Sequence, residues 1–134
     1  MLRRFVILVL TGWICVGKVK AQNHLNTDTV GLKTVSDNIY NSPFFGDSLA
    51  SSFVILIKKE VKLHKHLHHS EHVVVLNGNG TMKLGDRLIE IKKGDVVFIP
   101  KNTPHSVKVN SKEPLKVLSI QAPFFDGKDR IMIE

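Results

Sequence analysis

A single cysteine, Cys15, excludes any intrachain disulfide in this 134-residue sequence, so core packing must hold the fold even in an oxidising compartment. Catalytic signatures are equally scarce. The chain has no glycine-rich phosphate loop, no serine in a nucleophile-elbow pattern, and no cysteine paired to a base. After residue 22 no stretch sustains a helical period, which points away from helical folds. Nor is there a concentrated basic stripe. The formal charge is +7, but lysines such as Lys92, Lys93, Lys101 and Lys108 are scattered among acids, the pattern of a solvated surface, so no nucleic-acid partner is expected.

Long apolar runs are also missing. The longest, Phe5 to Gly17, covers 13 residues, short of the ~20 needed to span a hydrocarbon core. Arg3 and Arg4 precede it, and Val19 and Ala21 supply a small-residue cleavage pattern. Residues 1–21 therefore read as a secretory signal peptide with Gln22 as the new N-terminus. Cys15 is not a lipid-modification site, since Ile14 before it is not small. The segment carries four basic residues and no acidic ones, so its removal lowers the formal charge from +7 to +3 and leaves no cysteine. The expected product is exported, periplasmic or secreted, with no stable membrane insertion after cleavage.

What remains is one domain's worth of chain, long enough to bury roughly two-thirds of its unfolded surface. Residues 22–49 are rich in Asn, Ser, Thr, Asp and Gly, and only "VGLKTV" (30–35) looks strand-like, so an irregular N-terminal arm is expected there. Residues 50–134 read as short β-branched or alternating runs broken by turn residues. The runs are "FVILIKK", "HVVVL", "TMKL", "RLIEI", "DVVFI", "HSVKV", "LKVLSI" and "IMI". Gly85 and Asp86 suit a tight hairpin turn between the third and fourth. About eight short strands suggest an all-β jelly roll or closed barrel, whose interior is where a ligand fits.

Histidine is the residue in excess. Five of the seven lie between His64 and His72. Residues two apart in a strand share a face, so His64 and His66 can form a chelating pair. Glu71 begins a run in which Glu71, Val73 and Val75 share a face, and His105 begins another with Val107 and Val109. His68, His69 and His72 fall in the turn or on the opposite face, where solvent exposure is expected. Phe124 and Phe125, in "PFFDGKDR" near the C-terminus, read as packing residues beside a turn-like charged loop.

The spacing resembles the cupin superfamily, specifically a small single-domain cupin with both of its motifs. The first motif is matched by His64, His66, Glu71 and Gly78, with Lys58 where a leading glycine is usual. The second is matched by Gly94, Pro100 and His105, with Asn102 where a turn glycine is usual and Val109 in place of an asparagine that here stands one step later, as Asn110. Asn tolerates positive φ better than most residues, so that turn is expected to survive. The resemblance covers about residues 50–121 and implies a double-stranded β-helix fold. It also implies that His64, His66, Glu71 and His105 hold a divalent metal. Three nitrogen donors and one hard oxygen suit Fe, Mn, Ni, Zn or Cu, and an octahedral ion would keep two positions open.

Two functions follow from that resemblance. One is a metal-dependent enzyme acting on a small organic substrate, of dioxygenase or sugar-isomerase type; the other is a non-catalytic extracytoplasmic protein that binds a small molecule or a metal. A third possibility is a metal-free structural protein. The apolar run Phe53 to Ile57 needs cover on both faces, which predicts a homodimer through that sheet. The leader reading is tested by N-terminal sequencing of protein recovered outside the cytoplasm. The first residue should be Gln22, and a mature chain that keeps Met1 would reject the cleavage.

Overall fold

The computed structural model describes residues 24–31 and 37–134. The expected leader, Gln22 and most of "VGLKTV" lie outside the described residues. Ten strands occur among those described: β1 Ile39–Gly46, β2 Ser51–Ile57, β3 Glu60–Lys65, β4 Ser70–Asn77, β5 Asn79–Leu84, β6 Arg87–Lys92, β7 Val96–Ile99, β8 His105–Val109, β9 Leu115–Ala122 and β10 Ile131–Met132. The all-β class is as the turn-broken alternation implies. No helix among the described residues is long and apolar enough to cross a membrane.

The expected irregular arm needs correction, because residues 39–46 form a regular strand paired antiparallel with β2 from Ile39↔Ile57 to Gly46↔Ser51. Its sequence, IYNSPFFG, hides this. Pro43 cannot donate to a ladder, and β1 tolerates it by lying at a sheet edge with its register shifting between Pro43 and Phe45.

The strands form two five-stranded sheets, ordered β1-β2-β9-β4-β7 and β10-β3-β8-β5-β6. Each sheet turns one face inward, and the alternation visible in sequence selects that face. From the first sheet Ile57, Val73, Val75, Val97, Ile99, Leu115 and Val117 point in; from the second, Met82, Ile91 and Val107 join the same core. The hairpin between β5 and β6 turns at Gly85, whose φ of 59° is the left-handed value such a turn requires. Asn102 takes the same kind of conformation, with φ 60°, so the asparagine does fill the role of a turn glycine. Its N–H donates to the His66 carbonyl at 2.6 Å, tying the turn of the second motif to a histidine of the first.

Cover for the apolar β2 comes from two sources. Phe53, Ile55 and Ile57 alternate with Val54 and Leu56; Ile55 and Ile57 line the interior cavity, while Leu56 meets the N-terminal arm. A Cβ added to Gly31 would sit 2.9 Å from both Leu56 methyls, so the arm lies tight on that outer face. Lys116, the neighbour of Leu56 across the ladder, pins the arm by donating to the Thr27 and Val30 carbonyls at 2.5 and 3.1 Å. Part of the outer face is thus covered by the chain itself.

At the far end of the same sheet Val96 and Phe98 remain exposed, at 64% and 50%, with the His72 ring against Phe98. A homodimer through this sheet has to close over these residues rather than over Leu56. Sedimentation at micromolar concentration should show two chains, and Phe98→Glu should return the species to one. A wild-type monomer under those conditions would reject the dimer.

Candidate metal centre

The two sheets deliver the four singled-out side chains from opposite walls. His64 lies on β3 directly across from His105 on β8, and His66 follows just beyond the end of β3. Glu71 comes from β4 in the other sheet, where the expected inward face of Glu71, Val73 and Val75 is the one observed. All four are buried, none more than 7% exposed.

One ring nitrogen from each of the three histidines lies within 4.8 Å of the others. Glu71 Oε2 is 3.7 Å from His66 Nε2 and 3.6 Å from His105 Nε2. The structure therefore brings the four donor side chains to one place, and the barrel interior is that place.

Each histidine has its other nitrogen committed. His64 Nδ1 is 2.8 Å from the Lys62 carbonyl and His105 Nδ1 is 2.9 Å from the Thr103 carbonyl. His66 Nδ1 contacts the Asp129 carbonyl. A carbonyl only accepts, so each Nδ1 carries the proton and donates. The Nε2 lone pairs of the neutral rings are then left for the centre of the cluster, and buried His105 Nε2 has no hydrogen-bond partner. Backbone bonds of this kind fix tautomer and ring orientation in metal-binding histidines.

Electrostatics favour the neutral ring at His64 and His105. Burial, then the neighbouring His105, lowers the His64 pKa to about 4, only partly offset by the Lys62 carbonyl. Burial also lowers that of His105. For His66 burial acts downward too, but bonds to Glu71 and the Asp129 carbonyl outweigh it and raise the pKa. Burial opposes ionisation of Glu71, yet His66 and Ser119 hold its pKa below the ordinary carboxylate value. The Ser119 hydroxyl donates to Glu71 Oε1 at 2.5 Å, leaving Oε2 turned to the histidines.

Sequence reasoning missed several supporting residues. Ser119 and Gln121 share the inward face of β9 with Leu115 and Val117, and a polar residue at an inward position of an otherwise apolar alternation was a signal for both. Asp129 gave no such signal. Its carboxylate accepts from the Leu67 and His68 N–H groups at 2.9 and 2.8 Å and from His69 Nδ1 at 2.5 Å. His69 is consequently buried rather than solvent-exposed as expected: its Nε2 lies 3.0 Å from the Phe124 carbonyl, and Phe125 packs edge-on against it. The contact depends on a residue 60 positions away, so no local pattern reveals it. His68 and His72 are exposed as expected.

The C-terminal segment thus straps across the site. Phe125 also packs edge-on against His66 and Phe53, so its packing role holds, whereas Phe124 is 52% exposed. Phe125, Gly127 and Arg130 line the same cavity as the four clustered side chains. β10 then pairs with β3 at Met132↔His64, holding the strap beside a cluster histidine.

Residues 53–121 match the Cupin domain family, and the chain belongs to it. The chain is 36% identical over 97 residues to the uncharacterized protein MJ1618 of Methanocaldococcus jannaschii, covering 72% of this chain and 75% of that protein. It is 33% identical over 67 residues to a mannose-1-phosphate guanylyltransferase of Salmonella muenchen, covering 50% of this chain but 14% of that enzyme. Among solved structures, a double-stranded β-helix protein of Klebsiella pneumoniae superposes with a TM-score of 0.71 at 18% identity, covering 84% of this chain and 97% of that one. Pac13 of Streptomyces, solved with uridine, superposes with a TM-score of 0.65 at 16% identity, over 75% of this chain and 82% of that one. At such identities the likeness to these structures concerns the fold.

The strap's dependence on Asp129 is open to direct measurement. Asp129→Ala should speed hydrogen exchange at the Leu67 and His68 amides by at least tenfold while the amides of β9 stay protected. Unchanged exchange at both positions would mean that the strap does not hold the 66–69 loop.

Proposed function

We propose that the chain is a metal-dependent enzyme of the cupin family acting on a small organic substrate, with His64, His66, Glu71 and His105 as the metal ligands. The observation that carries this reading is the spending of the imidazole nitrogens. All three Nδ1 atoms are bound to backbone carbonyls, and the remaining Nε2 atoms converge with a carboxylate oxygen, one of them buried without a partner. An unpartnered buried polar atom costs free energy, and lone pairs converging from three rings suit a cation. The donor set fits Fe, Mn, Ni, Zn or Cu, and such an ion, when bound, polarises a carbonyl, acidifies a water or, if iron, activates dioxygen.

The chain's own residues do the rest. The Lys62, Thr103 and Asp129 carbonyls orient the three rings, and Ser119 keeps one oxygen of Glu71 occupied so that the other faces the cluster. The apolar lining, including Val73, Leu115 and Val117, lowers the local polarity and so strengthens charge interactions inside. A dioxygenase or sugar-isomerase type of reaction on a small molecule agrees with this arrangement. Pac13, which shares the fold, is described as a nucleoside dehydratase, an instance of the barrel supporting catalysis. The leader-like residues 1–21 support a working place outside the cytoplasm. The second reading is a binding protein without turnover, which the same buried cluster and cavity would serve.

Elemental analysis of the untagged protein should find about one divalent ion per chain. His64→Ala, His66→Ala or His105→Ala should each weaken metal affinity by on the order of 100-fold, and Ser119→Ala by about tenfold. Metal at 100 times its Kd should add ~2.7 kcal/mol of stability. Metal content unaffected by all three histidine changes would reject the site. Uptake of metal with no turnover across oxygen-consumption and isomerisation substrate panels would select the binding protein.

A further inference from the structure

The cavity holds about 250 Å³, below the ~300–1,000 Å³ of pockets for drug-sized ligands. Its walls are mostly aliphatic, and two polar groups on them are unspent. Arg130, itself an exposed residue, supplies the only arginine or lysine among the lining residues. Among the described residues no carboxylate stands within ion-pair reach of its guanidinium. The second group is Gln121, 6% exposed, whose Oε1 is buried without a hydrogen-bond partner.

These groups ask for different things. A guanidinium presents only donors and a fixed positive charge, and its strongest complement is an oxyanion bound through paired N–H···O contacts. An amide oxygen needs a donor. A hydrocarbon ligand would leave the Gln121 oxygen unsatisfied and make no use of the Arg130 charge, and a cationic one would be repelled by Arg130. Glu71, the lining carboxylate, already has one oxygen bonded to Ser119 and the other turned to the histidines, so its charge acts on Arg130 without forming an ion pair with it.

We propose that the cavity takes a small oxyanion, a carboxylate or phosphate ester, that also carries a hydroxyl or N–H group: Arg130 binds the anionic end and Gln121 Oε1 accepts from the donor. This deepens the metal-dependent reading and rests on it for the chemistry performed on that ligand, although neither recognition residue is one of the four clustered side chains and both line the same cavity beside them. The C-terminal strap then has a second duty, since the segment held by Asp129 also presents Arg130 to the cavity.

Calorimetric titration of metal-free and metal-loaded full-length protein with glycerate, glycerol 3-phosphate and glycerol tests the assignment, because the three probes share hydroxyls and differ in charge. At least one of the two anions should bind at least tenfold more tightly than glycerol, in both forms of the protein. Preference for glycerate identifies a carboxylate and preference for glycerol 3-phosphate a phosphate ester. Arg130→Gln should remove that preference, and Arg130→Lys should restore part of it. Gln121→Leu should weaken glycerate severalfold while leaving propionate, which has no hydroxyl, unchanged. Equal binding of glycerol and the anions, no binding of either anion at millimolar concentration, or an unaltered preference in Arg130→Gln would overturn the inference. Metal uptake is titrated in parallel. Full uptake without anion preference rejects this inference alone, whereas an Arg130-dependent preference without metal uptake rejects the metal reading alone.

Discussion

Burying three imidazoles and a carboxylate inside an apolar barrel is the constraint on which the rest of the molecule depends. Each of these groups loses water on folding, and a buried polar atom without a partner is costly. The barrel meets most of that cost with backbone carbonyls and one serine hydroxyl, all on elements that are themselves paired in sheets. The atoms left over are the ones that converge. This selective satisfaction, rather than the presence of histidines as such, makes the cluster a candidate metal site.

Satisfaction from two walls also explains why the fold has to be a closed sandwich. His64 and His105 come from one sheet, Glu71 and its partner Ser119 from the other, so neither sheet alone assembles the donors. Cross-strand pairing of His64 with His105 sets one distance. The packing of the two sheets sets the other, and the asparagine turn at Asn102 links the end of β3 to the entry of β8.

The C-terminal strap adds a part that lies mostly outside the family match. Asp129 gathers two backbone N–H groups and His69 with its carboxylate, and its own carbonyl orients His66. Phe125 closes on both histidines from the side. In this way residues after the barrel's last long strand tune a cluster built by the barrel's two motifs, and the neighbouring Arg130 supplies a charge that the motifs do not.

Much of this was legible in the chain. Alternation along "EHVVVL" and "HSVKV" gives the inward faces of Glu71 and His105 because a strand's period of two leaves no choice once one face is apolar. Gly85 and Asn102 announce turns through their tolerance of positive φ. Ser119 and Gln121 were readable in principle, as polar residues in the inward register of β9. The strand at residues 39–46 was not, since Pro43 and its polar neighbours obscure a pattern that edge pairing tolerates.

What the sequence determined by itself was therefore local: strand faces, turns, the spacing of two motifs and the types of donor they carry. Tertiary structure alone decided that His69 is buried among the five clustered histidines, because an aspartate 60 residues away draws it inside while His68 beside it stays in water. It also decided that the arm covers Leu56 and that Arg130, though exposed, lines the cavity. Such outcomes turn on contacts between segments remote in the chain, and a periodicity confined to a few neighbouring residues carries no information about them.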